Sequence, residues 1–168
     1  AQGSREVLDA ASAVAELNRR ICARETADRY LTCVYGVLDL KTGRVQLVRA
    51  GHPMPMVVHA EGSCDAVAEL GDVPVALFPG AQYTNHELQL RPGSRLVIFS
   101  DGITECEDAT GEAYGEERLR SYFQARARQP LQQLTAGFGQ AIKAWRGYPE
   151  QTFQDDISVM VVEYTPRP

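Results

Sequence analysis

From Thr32 onward the apolar residues of this chain abandon helical spacing and gather into short runs separated by glycine-bearing turns. Residues 32–40 and 44–50 flank Lys41-Thr42-Gly43, and residues 54–59 and 64–70 flank Glu61-Gly62. Each pair reads as two strands closed by a tight turn in which glycine supplies the backbone freedom. Residues 71–80, rich in glycine and proline, read as a loop. Residues 83–90 read as another strand, which turns through Arg91-Pro92-Gly93 into the run Leu96-Val97-Ile98-Phe99. Hairpins that follow one another without helices between them argue against a doubly wound parallel sheet. They predict antiparallel sheets instead.

Helical periodicity brackets this region. Over residues 4–24, Val7, Ala11, Val14, Leu17 and Ile21 recur on one face, Ser4 can cap the start, and Glu6, Asp9, Glu16, Arg20 and Arg24 fill the opposite face. Residues 116–127 place Leu119, Tyr122 and Phe123 together. Residues 131–146 place Leu131, Leu134, Phe138, Ile142 and Trp145 at spacings of three and four, and Gly147-Tyr148-Pro149 ends that helix. Such amphipathic helices cover sheets, and Phe138 and Trp145 are expected in the core. The class is α+β.

With 168 residues the chain is long enough for one domain with a substantial core. Its net charge of −5 argues against nucleic-acid and anionic-membrane partners, which attract clustered Lys and Arg. No apolar run is long enough to span a bilayer and no signal peptide opens the chain, so a cytoplasmic location is expected. Cys22, Cys33, Cys64 and Cys106 form no Cys-x-x-Cys pair and read as reduced thiols, Cys106 as a small buried residue.

Chemistry concentrates where two apolar runs meet carboxylates. The run 96–99 stops at Ser100-Asp101-Gly102, and Asp155-Asp156-Ile157-Ser158 precedes the run 159–162. A strand is stiff, so an aspartate at its end is held rigidly, and glycine beside it permits close approach. Adjacent carboxylates such as Asp155 and Asp156 repel unless water or a cation relieves them, and hard divalent cations prefer oxygen ligands. Two readings stay open: turn aspartates that satisfy their own backbone, or one metal site shared by distant strand ends. The acidic loop carrying Glu105, Glu107, Asp108 and Glu112 is no EF-hand, because Ala113 stands where that loop requires glycine. It reads as a solvated flap.

The ordered set Tyr35-Gly36-Val37-Leu38-Asp39, Ala50-Gly51-His52-Pro53, Leu90-Arg91-Pro92-Gly93, Phe99-Ser100-Asp101-Gly102-Ile103-Thr104-Glu105, Gly111-Glu112-Ala113-Tyr114-Gly115 and Asp155-Asp156-Ile157-Ser158 resembles bacterial metal-dependent serine/threonine phosphatases. These are the protein phosphatase 2C-like (PPM) enzymes of the SpoIIE and RsbU branch. The resemblance implies an α-β-β-α sandwich of two antiparallel sheets flanked by helices. It also implies hydrolysis of a phosphoserine or phosphothreonine ester through water activated by two Mn2+ or Mg2+ ions. By motif match Asp101 and Asp155 are catalytic metal ligands, with Gly102 and Asp156 beside them, while His52, in a family-like Ala-Gly-His stretch, reads as structural in preference to a proton donor. The implied partner is a phosphorylated protein of the anti-anti-sigma type or a regulatory protein, and a homodimer is compatible with it.

The resemblance also exposes departures. The family's Gly-Asp-Val-Ser-Gly-type turn is missing, and neither Asp9 nor Asp28 has its surroundings. Residues 1–168 are therefore expected to form a single phosphatase-type domain lacking its opening strands and part of its metal cage. Truncation, a degenerate fold kept as a regulatory adaptor, and completion by another chain each account for that. Smaller departures are Ser94 for a frequent acid, Ala76 for a frequent glycine and Pro53 for a frequent asparagine.

Overall fold

A computed structural model describes residues 8–24, 29–67, 71–147 and 155–166. The chain divides into two compact units, one formed by residues 1–52 and 68–89 and the other by residues 53–67 and 90–168. Each carries its own antiparallel sheet, β1-β2-β5 in the first and β4-β3-β6-β7 in the second. The α+β expectation holds, with hairpins where glycine turns predict them.

In the first unit, β1 (Cys33–Leu38) pairs with β2 (Arg44–Ala50), which pairs with β5 (His86–Gln89). Helix α1 (Ala10–Cys22) packs Ala10 and Val14 against Val48, Ala50, Val75 and Tyr83. The helix does not run through Asp9 as the apolar spacing predicts. Asp9 has extended backbone and caps it, with Oδ1 accepting from Ser12 N at 2.9 Å. Those bonds, with a further one from the Asn85 side chain, hold the Asp9 carboxyl down to about 2. The cap expected at Ser4, and Asp28, lie outside the described residues.

Asn18 also faces inward, 1% exposed on a helix face that otherwise buries alanine and valine. Its Nδ2 donates to Phe78 O at 3.1 Å, while its Oδ1 accepts from Ala76 N at 2.7 Å and Tyr83 Oη at 3.2 Å. The Asn18 amide thus helps to anchor the loop over residues 71–80, together with the backbone pairs of Val75 with Leu31 and of Asp72 with Arg49 and Gly51. Ala76 in this loop adopts φ 68°, a left-handed conformation that disfavours any side chain. That is why glycine suits the position. The strand expected over residues 83–90 shrinks to β5 because Thr84 N is drawn to Asp72 Oδ2 at 2.8 Å instead of a ladder.

In the second unit, β3 (Met56–Val58) pairs with β4 (Cys64–Ala66) and with β6 (Arg95–Phe99), and β6 pairs with β7 (Val159–Glu163). Strand β4 is shorter than the predicted run over residues 64–70, of which residues 68–70 lie outside the described residues. Helix α3 (Gly115–Ala125) and helix α4 (Leu131–Arg146) lay Leu119, Phe123, Leu134, Phe138 and Ile142 onto Val58, Val97 and Phe99. Helix α4 ends where predicted, with Gly147 in the left-handed conformation at φ 69°. Cys106 is buried in this core, which pushes its thiol pKa up.

Two buried polar groups fix the far end of the sheet. Arg95 is 4% exposed, pairs with Glu163 Oε2 at 2.7 Å and donates to the Arg126 and Gln129 carbonyls. It ties β6 and β7 to the connection between α3 and α4. His59 lies between Ser94 Oγ, 3.2 Å from Nδ1, and Asp65 Oδ2, 2.9 Å from Nε2.

Candidate active site

The site is built on the β6–β7 ladder. Register runs from Arg95↔Glu163 to Phe99↔Val159, so the residues just beyond that last pair leave the sheet side by side. Ser100 N extends the ladder by donating to Ser158 O at 3.0 Å. The Ser100 side chain then bridges the two segments: Oγ donates to Asp156 O at 2.9 Å and accepts from Ser158 N at 2.9 Å. One hydroxyl thus locks the Asp155-Asp156 turn to the end of β6.

Beyond Ser100 the chain folds into the short helical turn α2 (Asp101–Thr104). Glu105 N donates to Asp101 O at 2.9 Å and Thr104 Oγ1 to the same oxygen at 3.0 Å, which fixes the Asp101 backbone. Gly102 is buried where the turns meet. A Cβ there would stand 2.7 Å from Asp156 O and 3.3 Å from Asp155 Cβ, so only glycine admits this approach without a shift. The segments that carry Asp101 and Asp155, far apart in sequence, thus approach each other at Gly102.

Their carboxylates remain available. Asp101, Asp155 and Asp156 are exposed, and no ion pair among the described residues involves them. Asp101 Oδ1 accepts from Gly102 N at 3.0 Å and Asp155 Oδ1 from Asp156 N at 2.7 Å, each a bond to the next residue that leaves lone pairs open. Exposed oxygen donors without an ion-pair partner are the ligand type that a hard divalent cation prefers. Among the described residues, no group of three or more His, Cys, Asp or Glu side chains is placed to hold a metal ion. His52 lies in the first unit, with Nδ1 3.4 Å from Thr32 Oγ1 and its carbonyl accepting from Arg49 Nη1 at 2.9 Å.

Residues 3–165 match the family model for stage II sporulation protein E (SpoIIE). The chain belongs to the SpoIIE family. Its domain is accordingly of the PP2C-like phosphatase type. Among sequence relatives, the phosphoserine phosphatase RsbP of Bacillus subtilis is 24% identical over 98 residues, covering 58% of this chain and 23% of RsbP. Among solved structures, the PP2C domain of SiaA from Pseudomonas aeruginosa has a TM-score of 0.81 at 19% identity, covering 97% of this chain and 63% of that one. The manganese-presoaked phosphatase domain of SpoIIE from Bacillus subtilis has a TM-score of 0.68 at 16% identity, covering 100% of this chain and 78% of that one. At these identities the structural likeness shows the fold. The chain spans 14% and 23% of the lengths of the curated relatives it matches. No helix among the described residues is long and apolar enough to cross a membrane.

Within this SpoIIE-family site, Ser100 is the residue that the sequence did not single out. Its signal was present: a hydroxyl at the step between an apolar run and an aspartate can bridge to whatever strand lies alongside. What the sequence lacks is the identity of that strand.

Proposed function

We propose that this chain hydrolyses phosphoserine or phosphothreonine on a bacterial signalling protein of the anti-anti-sigma type, with Mn2+ or Mg2+ as cofactor. This takes residues 1–168 as one cytoplasmic phosphatase-type domain. The observation that carries the proposal is the approach of the Asp101 and Asp155-Asp156 turns at Gly102, where a Cβ would lie 2.7 Å from Asp156 O. Asp101 and Asp155 would hold the metal, with Asp156 and Gly102 beside them. A divalent cation so placed lowers the pKa of water and neutralises charge on phosphoryl oxygens.

The chain's own residues supply rigidity. The β6–β7 ladder fixes the spacing of the carboxylate-bearing backbones, and Ser100 keeps them from parting. Exposure of the three aspartates leaves a protein-borne phosphoester free to approach. In the whole native protein, p-nitrophenyl phosphate turnover that requires Mn2+ or Mg2+, and that Asp101→Asn abolishes, supports the proposal. Metal-independent turnover, or an undiminished rate in Asp101→Asn, defeats it.

A second reading is a non-catalytic adaptor of the same fold. It draws on the lack, among the described residues, of a group of three ligating side chains. Neither cation binding nor turnover in the whole protein, with partner binding retained, would favour the adaptor.

A further inference from the structure

Helix α4 carries two glycines in its interior, where each costs about 1 kcal/mol relative to alanine. Packing accounts for one of them. A Cβ at Gly137 would lie 2.8 Å from the Tyr122 hydroxyl, which is itself bonded to Leu134 O. Packing does not account for Gly139, around which a Cβ would meet nothing within 4 Å. Gly139 instead opens onto a groove of about 550 Å³ between α4 and the start of β7.

That groove is continuous with the site. Ile157 and Val159, both half-buried, line it on the apolar side above the buried Phe138 and Ile142, and Asp155 and Asp156 line its polar end. Lys143 lies one helical turn beyond Gly139 on the same face and also lines the groove. It is exposed and makes no ion pair with another described residue. An apolar wall, a missing side chain and an uncommitted ammonium beside two carboxylates are the features of a peptide subsite.

We infer that this groove binds the substrate segment flanking the phosphorylated residue, taking a bulky apolar side chain over Gly139 and an acidic side chain at Lys143. The inference rests on the phosphatase reading above and adds the sequence preference of the same site. Apolar contact along Ile157 and Val159 favours a leucine-sized group. Lys143 favours the acid, which would otherwise face Asp155 and Asp156 unscreened.

The test compares two phosphoserine peptides, one flanked by Leu and Glu and one by Gly and Gln, together with a Leu/Gln peptide that separates the two contacts and p-nitrophenyl phosphate as a substrate too small to fill the groove. In the whole protein with Mn2+, the Leu/Glu peptide should be preferred by about tenfold or more in kcat/KM. In Gly139→Leu, where leucine is the better helix former, the ratio of peptide to p-nitrophenyl phosphate kcat/KM should fall by a similar factor, through KM. Lys143→Glu should remove the preference for Glu and keep that for Leu. Equal rates on all the peptides, or a preference that survives both substitutions, overturns the inference. Without turnover on any substrate, titration of the peptides by calorimetry decides it. Binding of the Leu/Glu peptide that Gly139→Leu abolishes keeps the groove and discards the hydrolase, whereas equal binding by both proteins discards the groove.

Discussion

Asp108 and Asp101 lie on neighbouring stretches of the second unit, and their carboxylates are bonded in opposite ways. Asp108 Oδ1 accepts from Thr110 N at 2.8 Å, Thr110 Oγ1 at 2.7 Å and Glu112 N at 3.0 Å. Its loop closes on itself, with Asp108 N donating to Glu112 O and an isolated bridge between Glu107 and Ala113. Asp101 and Asp155 each take a bond from the following amide, and the backbone around them is fixed by other groups. Both kinds of aspartate look alike in sequence, each beside a turn. One oxygen of Asp108 is committed to three donors of its own loop, whereas Asp101 and Asp155 each accept a single bond and are positioned by groups outside their side chains. Asp108 fits the turn reading of the acidic residues, and the strand-end pair is the one the proposed function assigns to a ligand.

The sharpest way to break this comparison is to remove charge at a strand end. Asp155→Asn should lower turnover by more than the ~10–100-fold that losing an outer-shell partner of a metal costs, with Tm nearly unchanged. A large fall in Tm would mean that Asp155 organises structure as Asp108 does. Gly102→Ala comes next, because its new Cβ meets backbone instead of a movable side-chain tip. Forcing the turns apart should cost about 1–3 kcal/mol by chemical denaturation and lower turnover with it. Ser100→Ala should do less, about 1 kcal/mol, since the ladder bond from Ser100 N survives. It should still weaken metal binding about tenfold, as a positioning residue does. Unchanged metal affinity in Ser100→Ala would show that the ladder alone sets the spacing.

The same contrast explains what could be read from the sequence. Hairpins around Gly43 and Gly62 and the end of α4 at Gly147 follow from local signals, and the structure places them as the residues dictate. The candidates Asp101 and Asp155 were legible as acids at strand ends, but the approach of their segments depends on β6 pairing with β7, which no local pattern encodes. Buried polar anchors were illegible for a related reason. Asn18 reaches Phe78, Ala76 and Tyr83, and Arg95 reaches Arg126, Gln129 and Glu163, all far along the chain. Periodicity reports which face is apolar, and it marks a residue such as Asn18 as an interruption of that face. Asp9 shows a related failure. An apolar stripe extended upstream places it on a polar face, whereas its carboxyl competes for the backbone and starts the helix.

The smallest expected effect lies at Asp108, and it tests the other half of the comparison. Bonds from the Thr110 hydroxyl, then the Glu112 and Thr110 amides, favour the ionised carboxyl and hold its pKa below 3.8. A group whose folded pKa is depressed stabilises the fold above its unfolded pKa and loses that contribution as pH falls through the folded value. Asp108→Ala should therefore lower Tm modestly at neutral pH and leave p-nitrophenyl phosphate turnover at the wild-type level. In acid unfolding, the Tm gap between Asp108→Ala and wild type should narrow as pH drops below about 3.8. A gap that stays constant into strong acid would mean that side-chain packing, not ionised Oδ1, holds the loop. Lost turnover in Asp108→Ala would move this aspartate from the group that shapes a turn to the group that meets a ligand.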